Sequence, residues 1–406
     1  MRVAVLGGGL QGACVALELA RSGIPVDLYE RSDRCVSQAS AQNEGKIHLG
    51  YIYAKDRTLE TARLMVRGAL SFAPLIRRWI GSDIESVPVS RPFYYAVHRD
   101  SLLGADDVEG HLRACNAIAR EMSNGNAIDY FGADYRKAPV RLKSRGDLFD
   151  DAAIVAAFVT PEVAIDAAVL AGLVRDRLTA EPKINCIVNA SVLDVSIADP
   201  RVEVHFEIAG ERRREGYDHV VNALWDGRLA IDATLGIRPI RPWLFRTKYY
   251  LRSDSAASAC ALPSTTIVLG AFGDVVGYAG GNFYLSWYPA GMRHVSRELR
   301  PAGWPRDLDR ETARQIRGAI VSALSAIVPS LAALDRARLE SCDIKGGVIF
   351  AWGATDITDP SSELHARSDV GARSYGRYHS IDTGKLTLAP LFAKMMADRI
   401  RGRAPD

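Results

Sequence analysis

Hydrophobic residues open this chain as a short unbroken run. Val3-Ala4-Val5-Leu6 has no polar position, which is the pattern of a strand covered on both faces within a parallel sheet. From Ala13 to Ser22 the apolar residues Cys14, Val15, Leu17, Leu19 and Ala20 predict a helix with mostly buried faces, ended by Gly23. Ile24 to Tyr29 reads as a second strand, finishing at Glu30. Thr160-Pro161-Glu162 predicts a helix start, because Ala164, Ile165, Ala168, Val169, Leu170 and Leu173 recur at helical spacing to about Leu178. Strands are expected from Ile184 to Ser191, leading into Val192, and again from Asp218 to Trp225. Pro390 to about Arg401 reads as a terminal helix.

Two long excursions interrupt this alternation. The first carries Pro92-Phe93-Tyr94-Tyr95-Ala96-Val97, and the second carries Lys248-Tyr249-Tyr250-Leu251 and Asn282 to Tyr288. Both have the aromatic, β-branched character of sheet strands. A helix from about Leu308 to Ile327 is expected to pack on that sheet through Ile316, Ile320, Leu324 and Ile327. The expected architecture is therefore α/β, with a discontinuous dinucleotide domain (1–86, 156–240 and 346–406) and an interwoven α+β substrate domain (87–155 and 241–345) on a mixed or antiparallel sheet.

Composition supports this size of assembly and narrows the partners. The chain has 406 residues, of which 48% are hydrophobic, enough to bury two cores. Net charge is only +3, and Arg212, Arg213 and Arg214 alternate with Glu211 and Glu215 in what reads as a solvated turn, so nucleic acid is not expected as a partner. The six cysteines, Cys14, Cys35, Cys115, Cys186, Cys260 and Cys342, are scattered without metal-ligand spacing. That scatter, with no apolar run long enough for a bilayer and no leader pattern before the first strand, leads us to expect a cytoplasmic protein with no metal site and no membrane span.

Gly7, Gly9 and Gly12 stand at GxGxxG spacing between the first strand and the first helix. Gly7 would make the tight turn, Gly9 would leave room for a diphosphate, and Gly12 would let helix and strand pack closely. The helix N-terminus offers unpaired N–H groups to phosphate, so Leu10 and Gln11 join the contact candidates. Glu30, followed by Arg31, ends the second strand where a carboxylate can accept hydrogen bonds from both ribose hydroxyls. It would repel a phosphate there, which disfavours NADP. The motif by itself does not separate FAD from NAD.

Residues 37–53 form a small, polar, glycine-punctuated segment directly after this unit, normally a surface loop. Asn43-Glu44-Gly45-Lys46-Ile47-His48-Leu49-Gly50-Tyr51-Ile52-Tyr53 resembles the flavin-contacting stretch of L-2-hydroxyglutarate dehydrogenases and related D-amino-acid-oxidase-like flavoproteins. The resemblance implies a glutathione-reductase-like Rossmann domain that binds FAD. It implies flavin contacts from Ser40, Asn43, Gly45, Lys46 and Ile47, with His48 near the ring and open to covalent attachment. It further implies that Val192 meets adenine, and that Gly384, Lys385, Leu386 and Thr387 meet the flavin pyrimidine ahead of the terminal helix.

The same resemblance names a chemistry: hydride transfer to flavin N5 from a CH–NH or CH–OH bond of a small polar amine, amino acid or hydroxy acid. Oxygen or an unidentified carrier would reoxidise the flavin. His48, Lys46, Tyr288 and Arg293 are the candidate catalytic residues. Each has a plainer reading, His48 as a satisfied histidine between Ile47 and Leu49, Lys46 as a solvated loop charge, Arg293 as an exposed strand-end arginine. Arg246, Lys248, Arg373 and Arg377 are candidate carboxylate anchors. The chain departs from the amino-acid oxidases in lacking their Arg-Pro-x-Thr-x-Asp run before the terminal turn, where Trp352 to His379 stands instead. A flavin-dependent non-redox isomerase or transferase, and a non-catalytic FAD-binding protein, are the two alternative functions.

Overall fold

Val3–Leu6 is completely buried in the centre of a six-stranded sheet, and the computed structural model shows why its sequence tolerates no polar residue. The structure describes residues 1–90, 92–253, 262–303, 308–332, 334 and 339–403, so Cys260 lies outside the described residues. Parallel neighbours Val26–Tyr29 and His219–Asn222 cover both edges of the first strand. The full order across the sheet is Gly371–Tyr375, Tyr378–Asp382, His219–Asn222, Val3–Leu6, Val26–Tyr29 and Ile184–Ile187. Only the outermost strand, Gly371–Tyr375, runs antiparallel to its neighbour.

The first helix spans Leu10–Arg21 and starts three residues before the expected Ala13. Gly9 adopts an extended conformation and serves as its N-cap, so the glycine motif itself forms the helix entrance. The terminal helix, Ala389–Ile400, packs against Leu10–Arg21 and against the helix Glu60–Ile80.

Two local expectations are corrected. The helix placed from Thr160 to Leu178 begins instead at Ala167, after the strands Ile154–Thr160 and Val163–Ala164. Asp166 is the true N-cap: its carboxylate accepts the N–H groups of Ala168 and Val169 at 3.0 and 3.2 Å. Ala164 and Ile165 thus belong to extended chain, and their helical spacing is fortuitous. The strand expected from Ile184 to Ser191 is two strands in different sheets, Ile184–Ile187 and Ala190–Ala198, separated at Asn189 by a left-handed residue (φ 53°).

Arg212, Arg213 and Arg214 lie on an exposed strand, Glu211–Tyr217, rather than in a turn. That strand completes a three-stranded antiparallel sheet with Arg201–Ile208 and Ala190–Ala198.

The aromatic segments form a nine-stranded mixed sheet. Phe93–His98, Trp243–Ser253 and Phe283–Trp287 all belong to it, and the helix Arg310–Ser325 covers it with Ile316, Ile320 and Leu324. Ile154–Thr160 and Asp343–Trp352 are also strands of this sheet, so residues 156–160 and 346–352 sit with the aromatic segments rather than with the glycine motif. Lys46–Ile47 pairs with Val163–Ala164 as a short two-stranded ladder between the two large sheets. Among the described residues, no helix is long and apolar enough to cross a membrane, and no group of three or more His, Cys, Asp or Glu residues is placed to hold a metal ion.

Candidate active site

A single cavity of about 1070 Å³ runs from the glycine turn to the nine-stranded sheet. At its first end the glycines are required by contact. A Cβ on Gly12 would stand 2.0 Å from the Gly7 carbonyl oxygen, and Gly7 itself has φ +98° with the Ala223 carbonyl 2.7 Å from any Cβ. Gly9, Leu10 and Gln11 line the cavity, while Gly12 stands behind the wall and allows the approach. The Leu10 N–H is donated to Ser40 Oγ at 2.8 Å. Glu30 is buried, and its carboxylate accepts the N–H groups of Gly8 and Ser32 at 3.0 and 2.8 Å. Arg31 pairs with Asp226 at 2.9 Å beside it, and Val192 borders the same end.

The loop after Glu30 leads from that end to the other. Asn43 organises it, donating to the carbonyls of Ala39 and Ser40 and accepting the Gly45 N–H at 2.7 Å. Gly45 has φ +67°, and a Cβ there would lie 1.8 Å from the Ile165 carbonyl. Gly45 and Ile47 support the loop, and Lys46 and His48 border the cavity. Thr387, from the turn before the terminal helix, accepts the His48 N–H at 2.9 Å and donates to the Lys46 carbonyl at 3.2 Å. Gly384, Lys385 and Leu386 line the cavity opposite, and Gln11 links both turns through Ala389 and Thr383.

Charged groups crowd the second end. Lys46 Nζ donates to Asp274 at 2.9 Å, and Lys248 reaches the other oxygen of the same carboxylate at 3.4 Å. Those two cations outweigh the burial that would favour a neutral Asp274, so its pKa lies below the usual carboxylate range. Glu44 is held low in the same way, Lys248 and Lys385 overcoming its burial. Lys248 in turn is raised, because Asp274 and Glu44 overcome its desolvation. Lys385 has no such balance. Burial, with Arg367, Lys46 and Lys248 adding to it against Glu44, lowers its pKa to about 8. His48 is pushed well below its ordinary value by burial first and then by Lys385 and Lys46, so the imidazole is neutral.

Arg246 and Arg367 close this end. Arg246 is 1% exposed, pairs with Asp356 and donates to the Tyr288 hydroxyl at 3.1 Å. Arg367 donates from one terminal nitrogen to the Phe350 carbonyl at 2.9 Å. The Nε atoms of both arginines, and the Tyr53 hydroxyl, are buried without a hydrogen-bond partner among the described residues.

Of the sequence candidates, Lys46, His48, Tyr288, Arg246 and Lys248 meet at this end. Arg293 does not. It is exposed on the edge strand Met292–Ser296, which alternates its side chains and turns 293 to solvent. Arg373 and Arg377 are exposed on the six-stranded sheet, bonded to Asp369 and to the Asp218 carbonyl. Sequence reasoning missed Arg367, Asp274, Glu44 and Glu162. Glu44 sat inside the quoted loop motif, and Arg367 in the stretch where the chain departs from the amino-acid oxidases. Asp274 and Glu162 carried no local signal.

Comparisons with known proteins bear on the family and the fold. The model of the family described as DAO, FAD dependent oxidoreductase, matches residues 2–399. The fold is similar to glycine oxidase from Geobacillus kaustophilus, with a TM-score of 0.67 at 14% identity, covering 99% of this chain and 95% of that one. Iminodiacetate oxidase from Chelativorans sp. BNC1 gives 0.66 at 15%, covering 100% and 96%. Among curated proteins, FAD-dependent monooxygenase FPY4 of Fusarium mangiferae is 33% identical over 88 residues. That match spans only 23% of its length and 21% of this chain.

Proposed function

The chain belongs to the FAD-dependent oxidoreductase family called DAO, and from that premise we propose that it oxidises the carbon–nitrogen bond of a small amine bearing a carboxylate. The observation that carries this reading is the pair of buried arginines, Arg367 and Arg246, that line the end of the cavity which Lys46 and His48 also border. A carboxylate matches such forked donors with short charge-assisted hydrogen bonds. Glycine oxidase and iminodiacetate oxidase share the fold and are in keeping with a carboxylate-bearing amine, but L-alpha-glycerophosphate oxidase from Mycoplasma pneumoniae shares it too, so the fold by itself does not separate amine from alcohol.

The residues fit the cofactor. Gly7, Gly9, Leu10 and Gln11 would hold the diphosphate, Glu30 and Arg31 the ribose end, and Val192 the adenine. Ser40, Asn43, Lys46 and the turn from Gly384 to Thr387 would hold the flavin end, with Gly12, Gly45 and Ile47 setting the backbone that makes room for it. FAD, when bound, supplies a two-electron acceptor. The chain's own residues anchor the carboxylate, exclude water from the buried end and keep His48 neutral and able to accept a proton. Tyr288, held by Arg246, and Tyr53 supply hydroxyls beside the anchored group.

Anaerobic mixing of the holoenzyme with amino acids and with their decarboxylated amines tests the proposal. Carboxylate-bearing amines are expected to bleach the flavin. Arg367→Leu is expected to weaken their apparent affinity by about 10- to 100-fold, the worth of a charged hydrogen bond, whereas exposed Arg293→Ala leaves it unchanged. Bleaching that ignores the carboxylate, or an Arg367→Leu enzyme with unaltered affinity, would sink it.

A further inference from the structure

Glu162 lies across from His48 in a ladder too short to suggest it. Lys46 pairs with Ala164 and Ile47 with Val163 in antiparallel register. Continuing that register by one residue sets His48 opposite Glu162. The Glu162 side chain is fully buried, and its oxygens accept the Leu49 N–H at 2.8 Å and the Tyr95 hydroxyl at 2.5 Å. Burial raises the Glu162 carboxyl above its ordinary value, while Lys46 and these two donors pull the other way and favour the ionised form. One of its oxygens stands 3.9 Å from His48 Nδ1, a buried nitrogen with no hydrogen-bond partner among the described residues. Lys385, Lys46 and Arg367 are cations that act on the ring, and Asp274 is a carboxylate that acts on it in the opposite sense. Asp274 is already held by Lys46, Lys248, Thr266 and Ser286.

We propose that Glu162 is a positioning residue: it keeps the His48 proton on Nδ1 and so turns the Nε2 lone pair toward the cavity, to accept a proton from the substrate's ammonium group. The proposal deepens the amine-oxidation reading and rests on it. A neutral imidazole has one donor nitrogen and one acceptor, and the negative charge of Glu162, 3.9 Å from Nδ1 and so beyond hydrogen-bond length, favours the proton on that nitrogen. In the step assigned here the ammonium N–H bond breaks, its proton bonds to Nε2, and its electron pair remains on the substrate nitrogen as a lone pair. The imidazolium so formed faces the Glu162 carboxylate. The surrounding cations disfavour it, and once the oxidised substrate has left it releases the proton to solvent.

Nitrogen-resolved NMR of the histidine-labelled holoenzyme, with His48→Gln to assign the signal, reads the tautomer directly. The expected state is Nδ1 protonated and Nε2 bare. Glu162→Gln presents an amide donor instead and is expected to move the proton to Nε2, with anaerobic flavin reduction by substrate slowed by about 100-fold, the usual worth of a positioned base. A merely structural role for Glu162 would not move the proton. His48 protonated on Nε2 in the unaltered holoenzyme overturns the proposal even if Glu162→Gln fails to fold, and so does a Glu162→Gln enzyme with unchanged tautomer and rate. If no amine bleaches the unaltered holoenzyme, the amine-oxidation reading fails and this proton step with it, whereas a wrong tautomer in an enzyme that amines do bleach removes only the role of Glu162.

Discussion

Lys46 and Asp274 are 228 residues apart in the chain and 2.9 Å apart in the structure. Lys46 comes from the loop that follows the glycine unit, Asp274 from the nine-stranded sheet, and their ion pair joins the two at the buried end of the cavity. Asp274 also receives Lys248, Thr266 and Ser286, so one carboxylate holds four side chains.

Removing that carboxylate takes from two buried ammonium groups the oxygens they bond, with Glu44 still acting on Lys248. Asp274→Asn is expected to destabilise the protein by about 3–5 kcal/mol, the cost of breaking a buried pair from one side. Pairing it with Lys46→Met recovers part of the loss. Urea denaturation of the single and double variants measures both. A loss below about 1 kcal/mol, the range of solvated surface pairs, would show that the network is hydrated.

Gly12 makes a sharper claim on the cofactor. Because any Cβ there would stand 2.0 Å from the Gly7 carbonyl, Gly12→Val must push the first helix away from the turn. The expected product is a folded but colourless protein that takes up FAD at least about tenfold more weakly, since a displacement of that size costs the phosphate contacts at the helix N-terminus. Fluorescence titration with FAD reports it, and an affinity equal to that of the unaltered chain would remove the diphosphate from this turn.

Lys385 predicts a pH dependence whose sign follows from its depressed pKa. Between about 8 in the folded protein and its ordinary 10.5 in the unfolded chain, the unfolded state binds a proton that the folded state has released. Stability therefore rises with pH across that window, and below it the burden of the buried charge is present in full. Lys385→Met is expected to flatten this rise in cofactor-free protein, measured as the urea midpoint against pH. Identical slopes in both proteins would mean that Lys385 titrates as an exposed lysine.

The dinucleotide unit was legible because it is local. Strand, glycine turn, helix, second strand and terminal acid follow one another within thirty residues. Each is specified by its own spacing and burial, so the turn at Gly7 and Gly12 and the strand leading to Glu30 could be placed before any contact was known. The aromatic strands and the helix over Ile316, Ile320 and Leu324 were legible for the same reason.

What the sequence could not order is the convergence of distant side chains. Whether an arginine on a strand meets a cavity or solvent depends on where the sheet places that strand. Arg246 lies on an interior strand whose residues 246–250 all border the cavity, whereas Arg293 lies on the neighbouring edge strand and is exposed. Helical spacing around Ala164 likewise concealed the ladder that sets Glu162 opposite His48. The chain by itself determined the cofactor unit, because helix, turn and strand are encoded by neighbours. Tertiary structure alone decided the charged end of the cavity, because Lys46, Arg246, Asp274 and Arg367 become neighbours only when two sheets close on one buried volume, where a charge left unpaired is costly.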